Sequence, residues 1–389
     1  MAINYQALKS EFAQMDALGA SHLKENLLRQ AFDAGDIKPE DYSVQECYEE
    51  LVEDGAKELR LWKRNQQFRE LRESAAVRRE MFLNINNSLV SSRTMAASKS
   101  IKFIGDQLVT VVPTTNLDGE RIPGLTDPGD TAEELGEGQP YGASKFGEDW
   151  IQTPALAKRG TKIQLTKEVI IGDKTGRLFS QCKKIGYSIG YGREIRILDM
   201  VLGLVSGAYQ RKKMSAVDVY GDNSGDHNWD NLLASNALVD WTDVEAAELL
   251  FEGLTDPNTG FPIDISGTQI LVPSALKNRA RHILGASEVK FVDNQANATT
   301  YQTTSQNLLD DYELLSSRLV SSRQGNSTTW YMGNFREAFH YYQAWPLTLV
   351  QAPADHPDDF NADIVAQWKA SEMGVVVCVD PRQVAKFTQ

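Results

Sequence analysis

The feature that most restricts the fold of this chain is an abrupt change in composition near residue 105. The 43 residues of 105–147 contain eight glycines and four prolines. Proline lacks a backbone donor and glycine loses much conformational freedom on folding, so this density excludes a helix. Between Asp127 and Asp149 there are seven carboxylates and one lysine, a net charge of −6. We expect a long, exposed, acidic loop.

Two runs of strand length follow the acidic loop, at 150–156 and 161–171. The four residues 157–160 separate them, and this spacing is typical of a hairpin. The sequence therefore predicts that the loop stands on a stalk formed by these two strands.

Residues 1–98 are predicted to be helical. They contain one proline and three glycines, so little interrupts a helix. Ser43 and Glu46 have the spacing of a capping box, in which each side chain accepts a hydrogen bond from the other residue's backbone N–H. Mostly apolar residues recur at steps of three or four through 47–62 and form one stripe, which predicts a long amphipathic helix.

A second long helix is predicted over 175–205, because apolar side chains keep helical spacing through this range. Gly186, Gly190 and Gly192 interrupt the pattern. Each costs about 1 kcal/mol relative to alanine inside a helix. We expect such glycines where another part of the chain approaches the helix backbone closely, and we interpret the helix as a structural spine packed against a sheet.

Helices and strands alternate beyond residue 218. Thr242 and Glu245 have the spacing of a helix cap, and a further helix is predicted from Pro273 to Leu284. The polar stretch 293–307 has no apolar period, so we expect a surface loop. Strands are predicted at 268–272, 329–332, 339–350, 364–369 and 375–379.

Charge and cysteine content narrow the class of protein. The 389 residues are enough for two or three domains. With 53 acidic and 40 basic residues the net charge is −13, which is unfavourable for binding phosphate backbones. The three cysteines are far apart, and no apolar stretch reaches the length of a membrane span. We expect neither sequence-directed DNA binding nor a membrane segment.

Catalytic motifs in the sequence are weak. Ser180 and Lys183 form an SxxK pattern near a KTG triplet at 174–176, but serine β-lactamases carry these motifs in the opposite order. No glycine-rich phosphate-binding motif follows a strand. We therefore expect no enzyme activity and no cofactor.

One acidic cluster leaves a metal site open as an alternative. Asp222, Asp226, His227 and Asp230 lie close together in sequence and have the ligand types of a hard cation or a transition metal. The register of an EF-hand loop does not fit, and the same residue types form ordinary turns. A metal-dependent hydrolase that uses these residues is the less favoured hypothesis.

The strongest remaining signal is a reversal of charge along the chain. Residues 158–196 carry ten bases and three acids, a net charge of +7, directly after the acidic loop. The two regions are either separate solvated faces or the two halves of a head-to-tail contact between copies of the chain. The candidate residues for such a contact are Glu133, Glu134, Glu137, Lys145, Phe146, Trp150, Lys158, Arg159, Lys183, Lys184 and Arg193.

The order of these elements resembles the major capsid protein, or major head protein, of tailed bacteriophages. The resemblance extends over about 99–389. It is carried by stretches similar to the extended loop, the spine helix and the later strands of that family, at 146–173, 182–195, 269–276, 331–341 and 364–382.

The resemblance implies an α+β fold, the tailed-phage major capsid fold, with an N-terminal helical arm, an extended β-hairpin loop, a peripheral domain with a spine helix, and a central axial domain. The implied boundaries are a helical arm or delta-like scaffold segment at 1–98, an N-arm strand region at 99–126, the extended loop at 127–171, the spine helix at 172–215, the axial domain at 216–350, and C-terminal peripheral strands at 351–389.

The resemblance also implies a function. Copies would form hexamers and pentamers of an icosahedral head that encloses the DNA genome without sequence-specific contact. A portal protein at one vertex and decoration or scaffold proteins are expected partners, with assembly in the host bacterial cytoplasm and final location in the virion capsid. The alternative within the same fold is the shell of an encapsulin-like cellular nanocompartment.

Overall fold

The computed structural model describes only part of the chain, divided into two compact units. The described residues are 60, 94–99, 103–125, 148–166, 177–212, 215–224, 227, 229–255, 262–263, 265, 267–286, 288–294, 300–306, 312–352 and 364–389. The first unit comprises 1–100, 158–191 and 345–373, and the second comprises 101–157, 192–344 and 374–389. Of the predicted helix over 1–98, only residues 60 and 94–98 are described, and they are helical.

Helices and strands alternate along the described chain. The helices are α1 (Gly105–Leu108), α2 (Arg177–Val201), α3 (Trp241–Glu252), α4 (Lys277–Leu284), α5 (Arg318–Gln324) and α6 (Phe335–Ala338). The strands are β1 (Thr110–Pro113), β2 (Arg121–Leu125), β3 (Glu148–Gln152), β4 (Ala157–Thr166), β5 (Leu232–Leu233), β6 (Gln269–Pro273), β7 (Glu288–Asn294), β8 (Thr300–Gln306), β9 (Glu313–Ser317), β10 (Trp330–Gly333), β11 (Phe339–Gln351), β12 (Ile364–Cys378) and β13 (Val384–Phe387).

A five-stranded sheet forms the centre of the second unit, in the order β5-β13-β10-β6-β9. Every residue of β6 and β10 is buried, because helices cover this part of the sheet and water reaches neither side. Trp330 on β10 stacks on Phe387 with 4.2 Å between ring centroids. Its indole N–H donates to the carbonyl of Asn236 at 2.9 Å, which satisfies the one polar group of this buried side chain. The core of the unit is built on this stack.

The strands β1, β11, β12 and β4 form a second set, and each unit contains part of it. In the second unit β1 pairs in parallel with the start of β11, with Thr110 opposite His340. In the first unit the neighbours run in the order β11-β12-β4. Strands β11 and β12 are long, with 13 and 15 residues.

Several sequence predictions are confirmed within one to four residues. The spine helix is present as α2, and the predicted strands at 268–272, 329–332 and 339–350 are β6, β10 and β11. Helix α3 is also present, but its cap differs from the prediction. The carboxylate of Asp240 accepts from the N–H of Thr242, and the carboxylate of Asp243 accepts from the N–H of Asp240. Two aspartates therefore replace the predicted pair of Thr242 and Glu245, since ionised acceptors bind these N–H groups more strongly.

Three other predictions are wrong. The polar stretch at 293–307 is not only a loop, because β7 and β8 pair antiparallel there. The strands predicted at 364–369 and 375–379 are one strand, β12, that passes through Gly374. A Cβ at Gly374 would lie 2.6 Å from the hydroxyl oxygen of Tyr341, so the glycine is present for packing and does not mark a turn. The glycine-rich region also contains one short helix, α1.

The expected close approach to the spine helix is confirmed at Gly186. A Cβ built there would lie 2.2 Å from the carbonyl oxygen of Thr94 in the first unit. Thr94 is fully buried and belongs to the helical residues 94–98. At Gly192 the nearest atom is the mobile end of Arg196 at 3.5 Å, so that glycine has no such neighbour among the described residues.

These two glycines should respond in opposite ways to alanine. Gly186→Ala should lower the free energy of unfolding by about 1–3 kcal/mol, because the new methyl group pushes the backbone at Thr94 away from α2. Gly192→Ala should raise it by about 0.5–1 kcal/mol, because alanine favours the helix and meets no backbone. Urea unfolding of the dissociated protein, followed by circular dichroism, measures both. An equal gain at both positions would contradict the close approach.

Candidate assembly site

The acidic loop is flanked by a two-stranded ribbon, as expected, but its strands differ from the predicted ones. Strands β2 and β3 pair antiparallel from Arg121 opposite Gln152 to Leu125 opposite Glu148. The hairpin predicted between 150–156 and 161–171 is wrong, because 157–160 lie inside β4. The local sequence pattern does not predict β2, since the strand contains Pro123 and Gly124, residues that an edge strand tolerates. β2 does lie within the N-arm strand region at 99–126 that the family resemblance implies.

The base of the ribbon is fixed by hydrogen bonds beyond the paired strands. The N–H of Thr153 donates to the carbonyl of Glu120 at 3.0 Å, and the N–H of Glu120 donates to the Thr153 hydroxyl at 2.7 Å. The N–H of Leu156 donates to the carbonyl of Leu117 at 2.9 Å. The ribbon strands that precede and follow the acidic loop in sequence therefore have a defined position in the second unit.

The acidic residues themselves lie outside the described part of the chain. Glu133, Glu134, Glu137, Lys145 and Phe146 belong to 126–147, for which no structure is described. Their role in contacts between copies stays a prediction.

Two groups of exposed basic residues lie in the first unit. On β4, Lys158, Arg159 and Lys162 are exposed, and we call them the strand surface. The ammonium of Lys158 lies 5.8 Å from the ring centroid of Trp345, within range of a cation–π contact. β4 is the last strand of its sheet among the described strands. Cationic side chains on such an edge deter nonspecific strand pairing.

The second group lies on helix α2. Lys183 and Lys184 are exposed there, followed by Tyr187 and Tyr191, which are 39% and 36% exposed. The two tyrosine rings stack with centroids 6.1 Å apart. We call these four residues the helix surface. The tyrosines were missed as contact candidates, although their spacing of four from each other and from Lys183 already placed them on one helix face.

Arg193, the remaining basic candidate, has partners within its own subunit. In the second unit its guanidinium donates to Asp106 at 2.8 Å and lies 4.6 Å from the ring centroid of Tyr341. Only 23% of its side chain is exposed. The charge of Arg193 is therefore compensated locally, and a contact with another copy stays a prediction.

The neighbour of Arg193 is a buried carboxylate. Glu194 is 2% exposed, and its two oxygens accept from the backbone N–H groups of Ile104 at 2.9 Å and Gly105 at 2.8 Å. Burial raises the pKa of Glu194, and this effect outweighs the lowering by the two backbone bonds. Asp106 raises the pKa further and Arg193 lowers it. Glu194 thus anchors the chain that leads into β1 and the ribbon.

The alternative metal site receives no support from the described residues. They contain no group of three or more histidine, cysteine, aspartate or glutamate side chains placed to hold a metal ion. Asp222 pairs with Asp230 through one antiparallel bridge, and the ring of His227 lies 5.3 Å from that of Trp229. Asp226 lies outside the described residues. The buried Asn231 holds this turn, since its side-chain oxygen accepts from the N–H of Gly221 at 2.8 Å. Its two amide hydrogens are shared among the carbonyls of Val219, Pro381 and Val384.

No described helix is both long enough and apolar enough to span a membrane.

The sequence from residue 147 to residue 387 matches the profile of a family described as phage capsid protein. This match covers most of the second unit, and residues 158–191 and 345–373 of the first. It takes in β3, β4, α2 and all the later elements. The chain belongs to the phage capsid protein family. It is a structural protein of a phage head, located in the virion capsid, where copies associate into a shell.

Several solved structures resemble the chain. The structure of Gordonia phage Cozz has 14% sequence identity and a TM-score of 0.44, with 74% of this chain and 87% of that chain covered. The capsid structure of cyanophage P-SCSP1u has 10% identity and a TM-score of 0.44, covering 72% and 86%. The capsid of cyanophage Pam1 has 14% identity and a TM-score of 0.42, covering 69% and 84%. No curated protein matches the sequence significantly.

The raised pKa of Glu194 predicts a pH dependence with a definite sign. The folded state holds the Glu194 proton more tightly than the unfolded state, so stability present at low pH is lost as the pH rises from about 4.5 through the folded pKa. The free energy of unfolding of the wild type minus that of Glu194→Gln should therefore fall over this interval. Urea unfolding of both proteins between pH 4 and about pH 8 tests this. A difference that increased with pH would contradict it.

Proposed function

We propose that this chain is a major capsid protein whose copies form the hexamers and pentamers of an icosahedral head around the DNA genome, and that it catalyses no reaction. The observation that carries the proposal is the family match over residues 147–387. The net charge of −13 agrees with it, because an acidic wall encloses DNA without adhering to it.

Each chain carries both an acidic region and a basic region, and the contact joins the acidic region of one copy to the basic region of another. The acidic loop carries a net charge of −6, and the exposed bases of the first unit lie on the strand surface and the helix surface. Because donor and receiver are different parts of the molecule, each copy binds one neighbour with its loop and receives the loop of another. Such a head-to-tail contact closes into rings, the geometry that hexamers and pentamers require.

The contact is weak for one pair of copies and strong for a shell. Exposed ion pairs contribute about 0–1 kcal/mol each. A subunit that contacts several neighbours at once gains far more, because each further contact forms at a high effective concentration. Assembly is therefore cooperative, and the loss of one contact is repeated in every subunit.

Further partners follow from the proposed role. They are a portal protein at one vertex, scaffold or decoration proteins, and the packaged DNA, which is bound without sequence preference. Residues 1–98 act as a delta-like scaffold segment, and assembly takes place in the host bacterial cytoplasm. The encapsulin-like alternative is less well supported, because the matching family is that of phage capsids.

Expression of the full chain alone tests the proposal. We expect capsomers or megadalton particles in sedimentation, and closed shells in electron micrographs. A protein that remained monomeric at high concentration would overturn the proposed function.

Charge reversal tests the contact itself. The triple variant Glu133→Lys, Glu134→Lys and Glu137→Lys should assemble at least about tenfold less than the wild type at equal concentration, since attraction becomes repulsion. The matched control reverses three exposed acids outside the loop, Glu245, Glu252 and Glu337, with the same change in net charge. Sedimentation measures assembly, and circular dichroism confirms the fold.

Compensating changes identify the receiving surface. The loop variant is combined with Lys158→Glu, Arg159→Glu and Lys162→Glu on the strand surface, or with Lys183→Glu and Lys184→Glu on the helix surface. Recovery of assembly by one combination identifies that surface as the receiver. Normal shells from the uncompensated loop variant would show that the loop is merely solvated.

A further inference from the structure

A short segment after helix α2 lies against the outer edge of the ribbon. Within the second unit, Ile151 of β3 pairs with Arg211 in one antiparallel bridge. The N–H of Lys212 donates to the carbonyl of Trp150 at 3.0 Å, and the N–H of Gln152 donates to that of Gln210 at 3.4 Å. Residues 209–212 thus act as a third strand at the base of the ribbon, on the edge of β3 that β2 leaves open.

Two cations lie close to the ring of Trp150. The ammonium of Lys212 lies 3.8 Å from the ring centroid, and the guanidinium carbon of Arg121 lies 5.4 Å from it. Arg121 belongs to β2 and Trp150 to β3, whereas Lys212 belongs to the segment that follows α2. One aromatic ring therefore joins both strands of the ribbon to this segment through cation–π contacts.

The segment is itself held by the core of the second unit. Tyr209 is 1% exposed and meets Trp229 edge to face, with centroids 5.5 Å apart. Its backbone N–H and carbonyl both bond Val217, at 3.0 and 2.9 Å. The guanidinium of Arg211 donates to the Tyr209 hydroxyl. The segment that carries Lys212 is therefore held in place by the buried Tyr209.

We propose that Lys212 and Trp150 form a clasp that sets the direction in which the ribbon carries the acidic loop, and that this direction is needed for the loop to meet a neighbouring copy. Lys212 is in this sense a positioning residue for assembly and does not itself touch the neighbour. The proposal rests on the proposed function, since it assumes that the loop makes the contact.

The clasp adds a side-chain contact to the two backbone hydrogen bonds that join residues 209–212 to β3. A two-stranded ribbon alone is marginally stable in water and twists easily. An error in angle at its base is multiplied along its length, so a small rotation displaces the loop by several ångströms. A cation held on the face of Trp150 opposes that rotation in both directions, because the attraction falls as the cation leaves the ring face.

Three variants of the full chain separate the contributions. Lys212→Met removes the cation but keeps a side chain of similar length. Lys212→Arg keeps a cation at this position, and Trp150→Leu removes the ring. Lys277→Met on helix α4 is the matched control, a lysine of the second unit that lies on another element.

Hydrogen exchange of the dissociated protein measures the clasp directly. Exchange in fragments covering 148–152 and 209–212 should be about fivefold faster in Lys212→Met and at least as fast in Trp150→Leu. Lys212→Arg should remain within about twofold of the wild type, and Lys277→Met should not change. Unchanged exchange in Lys212→Met would overturn the clasp.

Sedimentation of the same proteins measures the consequence. At a concentration where half of the wild type assembles, Lys212→Met should assemble about tenfold less, and Lys212→Arg should recover. Faster exchange with normal assembly would overturn the positioning role and leave the proposed function intact. Failure of the wild type itself to assemble would overturn the proposed function, and the exchange measurements would still decide whether the clasp exists.

Discussion

The buried carboxylate of Glu194 is the interaction on which the arrangement of the second unit depends. It holds the backbone of Ile104 and Gly105 against helix α2, and β1 and the first strand of the ribbon, β2, follow within twenty residues. A carboxylate out of contact with water is costly unless its oxygens are bonded, and two backbone N–H groups supply those bonds. The segment that precedes β1 and the ribbon is thereby fixed to the spine helix by Glu194, next to the bond between Arg193 and Asp106.

Long-range attraction and short-range placement are assigned to different residues. In the proposed assembly, the acidic loop of one copy and the exposed bases in the first unit of another attract each other over the Debye length, about 8–10 Å at moderate salt, and bring copies together with little regard to angle. In the proposed clasp, the contact of Lys212 with the ring of Trp150 in the second unit fixes the angle of the ribbon. Specificity in a shell of identical subunits requires both, since attraction alone produces aggregates.

The sequence predicts that a spine helix, buried strands and a two-stranded stalk are present, because these follow from local periodicity and composition. It misplaces the strands of the stalk, since Pro123 and Gly124 conceal β2 and the pairing of β2 with β3 joins residues far apart in sequence. The clasp of Lys212 and the local partners of Arg193 were also out of reach. Both depend on which distant segments meet, and no spacing within either segment records that.

The clasp and the loop differ in their response to salt. In the proposed assembly, added ions screen the attraction between exposed charges on neighbouring copies. The contact of the exposed Lys212 ammonium with the half-buried Trp150 ring spans only 3.8 Å and is screened less. Subunits released by concentrated salt would thus retain their ribbons in the orientation that the shell requires. If the proposed contact and clasp hold, dialysis back to dilute buffer starts from subunits whose ribbons are already oriented, and the shell re-forms.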